Sequence, residues 1–122
     1  MKDKWRQFCA KENGKFLDTM FIVVYEFKVK AGKEEFQKSW AKVTDAIAKR
    51  RGGLGSRLHK TERERVYVAY AQWPSREMYF DESDQKKFSA EENLERDKMK
   101  AATEYIKTVY LMEVVEDRLK TT

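Results

Sequence analysis

The side chains in this chain that could do chemistry are few. His59 is the only histidine and Cys9 the only cysteine. An imidazole titrates near neutrality, so His59 could move a proton or bind a metal. No second histidine or cysteine accompanies it, so a metal site is not expected. A hydrogen-bonded or solvated strand position is the commoner fate of such a residue. Arg57 lies on the same side of its strand and could pair with an acidic group; a surface arginine is the commoner outcome. Tyr25 could donate a proton or hydrogen bond from a central strand, or simply be buried with its hydroxyl satisfied. Trp73 could stack on a flat molecule, or fill the core. Phe36 and Trp40 are chiefly core candidates with an edge towards a cavity. Tyr79 and Phe80 could wall a pocket, or form the apolar side of a helix. No nucleophile elbow, phosphate loop, dinucleotide-binding glycine pattern or cluster of metal ligands occurs. The glycines at Gly52, Gly53 and Gly55 follow a helix, so they read as its cap and turn and not as a phosphate cradle.

The elements that must position these residues are legible from periodicity. Met20–Lys30 reads as a strand, with Phe21, Val23, Tyr25, Phe27 and Val29 on one face and Met20, Ile22 and Val24 opening the other. Lys33–Arg51 reads as a helix, because Phe36, Trp40, Val43 and Ile47 recur on one helical face. Leu54–Thr61 is a weaker strand. Arg65–Trp73 is a third strand, apolar on both sides, ended by Pro74. Ser75 can cap a short helix carrying Met78, Tyr79 and Phe80. Ser89 and Glu92 have capping-box spacing, which predicts a helix from Ala90 to about Tyr105 with Leu94, Met99, Ala102 and Tyr105 inward. Ile106–Glu116 is rich in β-branched and aromatic residues and reads as a fourth strand.

The order β-α-β-β-α-β is the ferredoxin-like split βαβ layout, an α+β fold with a four-stranded antiparallel sheet in the order 4-1-3-2. The two strands that are apolar on both faces would then be central. Helices can cover only one face of that sheet. The other face offers valine, isoleucine, tyrosine and methionine, so the expected partner is a second copy, sheet against sheet. The expected domain spans 20–116, between an N-terminal extension (1–19) and a polar tail (117–122). In the extension, Trp5, Phe8, Cys9 and Phe16 could dock as a short helix.

The bulk composition excludes several classes. The net charge is +5, from 26 Lys and Arg against 21 Asp and Glu, with the signs interleaved. No basic block tracks phosphates, so nucleic acid is not an expected partner. No apolar run has membrane-spanning length, and the first residues carry no signal-peptide core. One cysteine fits a reducing, cytoplasmic setting.

The stretch MFIVVYEFKVKAGKEEFQKSW (Met20–Trp40) resembles the opening strand and helix of antibiotic biosynthesis monooxygenase domains. GGLGSRLHK (Gly52–Lys60) and YVAYAQWPSREMY (Tyr67–Tyr79) carry the more specific likeness: a tryptophan ending the third strand, a polar turn, then a short aromatic helix. The resemblance covers about Met20 to Glu116. It implies a dimeric α/β barrel with a pocket between sheet and helices in each subunit. Some members oxidise aromatic polyketides with O2 and neither metal nor flavin, the deprotonated substrate itself reducing oxygen. Others degrade haem, using an asparagine on the first strand and a tryptophan and histidine on the second helix. Here the strand position is Tyr25, and the helix after Trp73 has neither residue, which argues against haem degradation.

The expectation is therefore a cofactor-independent monooxygenase acting on a small aromatic or quinol-like compound. His59, Tyr25 and Trp73 would be catalytic. Arg57, Phe36, Trp40, Tyr79 and Phe80 would bind substrate. The alternative is a non-catalytic dimeric module for a small ligand or a protein, with a filled or very small cavity. Haem binding is a weaker third reading.

Overall fold

The computed structural model describes residues 20–82 and 87–120. The extension and its docking helix lie outside the described residues. The elements run β1 (Phe21–Val29), α1 (Phe36–Arg51), β2 (Ser56–Lys60), β3 (Val66–Trp73), α2 (Arg76–Phe80), α3 (Ala90–Ala101) and β4 (Thr103–Glu113). The strands form one sheet in the order β2-β3-β1-β4, and each neighbouring pair is antiparallel. This is the α+β, ferredoxin-like layout, with β1 and β3 in the middle.

Side chains alternate across a strand, so the register sorts the residues by face. Tyr25 pairs with Ala69 and Thr108, and Phe27 with Tyr67 and Ile106. These positions face the helices. Phe27, Val29, Phe36, Val43, Ala69, Met99 and Ala102 form one buried cluster. Phe21, Val23 and Trp73 form a second, with Tyr79 packed against it. On the opposite face Val24 pairs with Tyr70 and Tyr110, and Ile22 with Gln72 and Met112. Ile22 and Val66 are buried there, while Tyr110 is 60% and Met112 38% exposed.

Local chemistry sets the helix ends. Gly52 caps α1 in the left-handed conformation (φ 82°), which glycine adopts without strain, and its N–H donates to the Ala48 carbonyl. Ser75 accepts from the Met78 N–H at the start of α2. Ser89 and Glu92 close a reciprocal capping box on α3.

Several boundaries differ from the sequence reading: α1 starts at Phe36 and not Lys33, β2 at Ser56 and not Leu54, and β4 ends at Glu113 and not Glu116. The last helix ends at Ala101 and not near Tyr105, and β4 starts at Thr103 and not Ile106. The sheet wins this segment: Thr103 pairs with Val29, and the Lys30 N–H donates to the Ala102 carbonyl at 2.9 Å. Tyr105 is therefore a strand residue whose hydroxyl donates to Glu26 at 2.6 Å. Leu94, which the sequence pattern turns inward, is 53% exposed. It stands five residues from buried Met99, about 140° around the helix, so the two cannot share a face.

Replacing Ser89 with Ala should cost about 1 kcal/mol, because it removes one half of the capping box. Urea denaturation of the variant against the parent chain measures it. An unchanged midpoint would show that the box contributes nothing.

Candidate functional site

Between the helices and the sheet lies a cavity of about 330 Å³. Its origin is a volume deficit on β3. Tyr67 and Trp73 are large, but Ala69 and Ala71 lie between them on the same face, and Gly53 and Gly55 close one side. From α1, Trp40, Val43, Thr44, Ile47 and Ala48 form the roof, and α3 adds Arg96, Met99 and Lys100. A cavity of this size, apolar with a few polar groups, is of the kind that holds a small organic molecule. The filled or very small cavity of the non-catalytic reading is not what the side chains leave.

Tyr25, Trp73 and Trp40 all line this space. The Tyr25 hydroxyl donates to the Tyr79 hydroxyl at 3.3 Å. Burial, and then the bond to Tyr79, pushes the Tyr25 phenol well above its ordinary value. Tyr25 is therefore a neutral donor and not a base. Trp73 is 3% exposed, and the Tyr79 ring meets it edge-on at 5.4 Å. Arg51, at the end of α1, holds α2 in place: its guanidinium donates to the carbonyls of Tyr79 (2.6 Å) and Asp81 (3.2 Å) and lies 5.1 Å from the Trp73 ring centre.

The other expected site residues fall elsewhere. His59 and Arg57 are exposed and sit opposite Val68 and Tyr70, on the sheet face away from the cavity. The reason is strand parity. Leu58 pairs with Ala69 and faces the helices, so its neighbours must face away. The His59 Nδ1 lies 2.9 Å from the Val68 carbonyl, which can only accept, so that nitrogen carries a proton. Phe36 is 2% exposed and packs on Phe27 and Tyr67 within the core. Tyr79 stands behind Tyr25 and Trp73 and not on the cavity wall. Phe80 is 37% exposed, next to Phe21 and under Arg76.

The sequence reading missed Arg96 and Lys100. Spacing from Met99 does not mark them as a pair, because Lys100 adjoins Met99 and so is off its helical face. The sequence reading also missed the meaning of Ala69 and Ala71, two small residues on a strand face otherwise made of aromatics. Among the described residues no three of His, Cys, Asp and Glu are grouped so as to hold a metal ion, and no helix is long and apolar enough to cross a membrane.

A ferredoxin-like sheet with an apolar cavity under its helices defines a class of small α+β proteins. Within it, the family model for antibiotic biosynthesis monooxygenase matches residues 20–90. The chain belongs to the antibiotic biosynthesis monooxygenase family. Solved structures share the fold at low identity. A mutant form of SnoaB, a cofactor-independent oxygenase from Streptomyces nogalater, is 16% identical with a TM-score of 0.61, over 84% of this chain and 99% of that one. A Caulobacter crescentus protein classed among the antibiotic biosynthesis monooxygenases is 19% identical with a TM-score of 0.61, over 82% and 93%. A dimeric protein of unknown function from Bacteroides fragilis is 13% identical with a TM-score of 0.54, over 78% and 96%. No curated protein matches the sequence.

The ionisable groups set a pH window. Tyr25 holds its proton more tightly folded than unfolded, so the unfolded chain ionises first and stability should fall as pH rises above about 10. Glu26, hydrogen-bonded by Tyr105, and Glu92, hydrogen-bonded by Arg50 and the Ser89 N–H, are held below the ordinary carboxylate range. Their contribution is present above that range and is lost as pH falls through their folded values. Denaturation midpoints across pH test both limbs, and Tyr25→Phe should flatten the alkaline one.

Proposed function

We propose that this chain is a cofactor-independent monooxygenase that oxidises a small aromatic or quinol-like substrate with O2 in the cavity between sheet and helices. One observation carries the reading: an apolar space of about 330 Å³ walled by Trp40, Trp73, Phe27 and Tyr25. Family membership supports the reaction type, as does the likeness in fold to SnoaB.

The reaction balances without a resident redox group. For an activated ring CH2, one oxygen atom of O2 becomes the new carbonyl and the other leaves as water with the two displaced hydrogens. The substrate supplies all four electrons. The protein's task is to bind the electron-rich form, orient it and exclude water. Trp40 and Trp73 offer ring faces and edges for a planar molecule. Tyr25, kept neutral, can donate to a developing oxyanion. His59 and Arg57, on the other sheet face, have no part in this reading.

The working unit in this reading is a homodimer joined through the sheet face opposite the helices, closing as a dimeric α/β barrel. Exposed Tyr110 and Met112, with Val24, Val68 and Tyr70, support it.

Oxygen uptake in the presence of a small anthrone or hydroquinone tests the activity. Ala71→Phe fills the cavity and should reduce uptake at least about tenfold, in line with a lost binding site. His59→Ala should leave it unchanged. Equal uptake by Ala71→Phe and parent, with both folded by circular dichroism, overturns the cavity as the site. For the dimer, Tyr110→Asp places a charge on an already exposed position of a single chain. Sedimentation should show a dimer for the parent and a monomer for the variant; a monomeric parent overturns that part.

A further inference from the structure

Tyr25, Trp40 and Trp73 are the rings on the cavity wall, among the described residues, that can give up an electron. Two of them meet one residue behind the wall. The Tyr25 hydroxyl lies 3.3 Å from the Tyr79 hydroxyl, and the Trp73 ring centre lies 5.4 Å from that of Tyr79. Electron tunnelling falls steeply with distance, so contacts this short carry an electron readily.

A chain of this kind stops at Tyr79. Its ring also meets Phe21 at 5.7 Å and Phe80 at 4.8 Å, and a benzene ring without a hydroxyl is far harder to oxidise. Trp73 is a poor resting place for positive charge, because the Arg51 guanidinium lies 5.1 Å from its ring centre. Tyr25 and Trp73 face the interior, whereas Tyr79 is half-buried on α2, a helix with no fully buried residue. Arg51 holds that helix by the carbonyls of Tyr79 and Asp81, which keeps the contacts in place.

We propose that Tyr79 is a radical sink: an oxidising radical formed in the cavity passes through Tyr25 or Trp73 to Tyr79, where a soluble reductant such as ascorbate quenches it. This rests on the cavity being the place where a substrate meets O2. There, a substrate radical that adds O2 becomes a peroxyl radical. Burial keeps Tyr25 neutral, so it gives up a hydrogen atom and not an electron alone. The peroxyl radical takes that atom and leaves as a hydroperoxide. The Tyr79 hydroxyl then turns and gives its own hydrogen atom to the Tyr25 oxygen, which restores Tyr25 and leaves the radical on Tyr79. By the second arm the peroxyl radical takes an electron from Trp73 and a proton from water. Tyr79 returns the electron to Trp73 and releases its proton to water. Ascorbate supplies the last hydrogen atom to Tyr79. A cavity that handles O2 is thereby kept from oxidising its own wall.

The test exposes the full chain in air, with ascorbate, to an apolar azonitrile initiator, whose carbon radicals add O2 to give peroxyl radicals. Peptide mass spectrometry reads the oxygen added to Trp73. Tyr79→Phe keeps the ring and removes the hydroxyl. It should raise oxygenated Trp73 at least about tenfold, as expected when a quenching route faster by that factor is cut. Tyr110→Phe, on the other sheet face, should leave it unchanged. Equal Trp73 oxygenation in the parent and in Tyr79→Phe overturns the proposal, and so does an equal rise in both variants. The parent alone gives a second reading if the Tyr79 variant does not fold. Without ascorbate, Tyr79 should be modified before Tyr25 and Trp73; either of those two first overturns the sink. No substrate is present, so a failure to take up oxygen with a hydroquinone counts against the monooxygenase reading and not against this result.

Discussion

Everything in this molecule depends on the alternation of side chains along β1 and β3. These two strands hold the centre of the sheet, and each is apolar on both sides. The helices cover one side. That makes the covered side both core and cavity wall, and it leaves Tyr110 and Met112 exposed on the other. The same constraint decides which residues can meet a ligand: a residue one step along a strand is on the wrong side of a sheet and cannot reach across it.

The covered side is not packed uniformly. At the end near Val29 it is dense, with Phe27, Phe36 and Tyr67 ring to ring. At the end near Phe21 it is closed by Trp73, Tyr79 and Phe80. Between them β3 contributes only alanines, and interior packing elsewhere is too tight to relax into the gap. The cavity is thus a property of side-chain volume on a rigid frame. Its walls come from six elements, β1, α1, β2, β3, α3 and β4, so it depends on the fold as a whole, and among the described residues its only charges come from α3.

Much of this is legible in the residues. The element order, the central strands, the cap at Gly52 and the capping box at Ser89 follow from period and local chemistry, and the structure has them. Tyr25 and Trp73 face the cavity, on the helix side of the two central strands. His59 and Arg57 do not, because β2 is short and has a single apolar residue, Leu58, to set its parity. Their side chains are reactive in type, but position on the sheet is what decides access. Arg96 and Lys100 are hidden in the pattern because the helical reading runs on into β4. It joins Leu94 and Tyr105 to one face, and the true face of α3 is lost in that error. Nothing in the sequence advertises that a charged pair on a polar helix borders an apolar hole.

The Tyr25 hydroxyl has a single proton, and in this structure it is given to Tyr79. Tyr79 belongs to α2, which Arg51 fastens to the end of α1 through main-chain oxygens alone. Any guest whose oxygen claims that proton takes it from Tyr79, whose own hydroxyl can then turn and donate to the Tyr25 oxygen. The hydrogen bond reverses and is not lost, so α2 should stay fastened through Arg51 whether the interior is filled or empty.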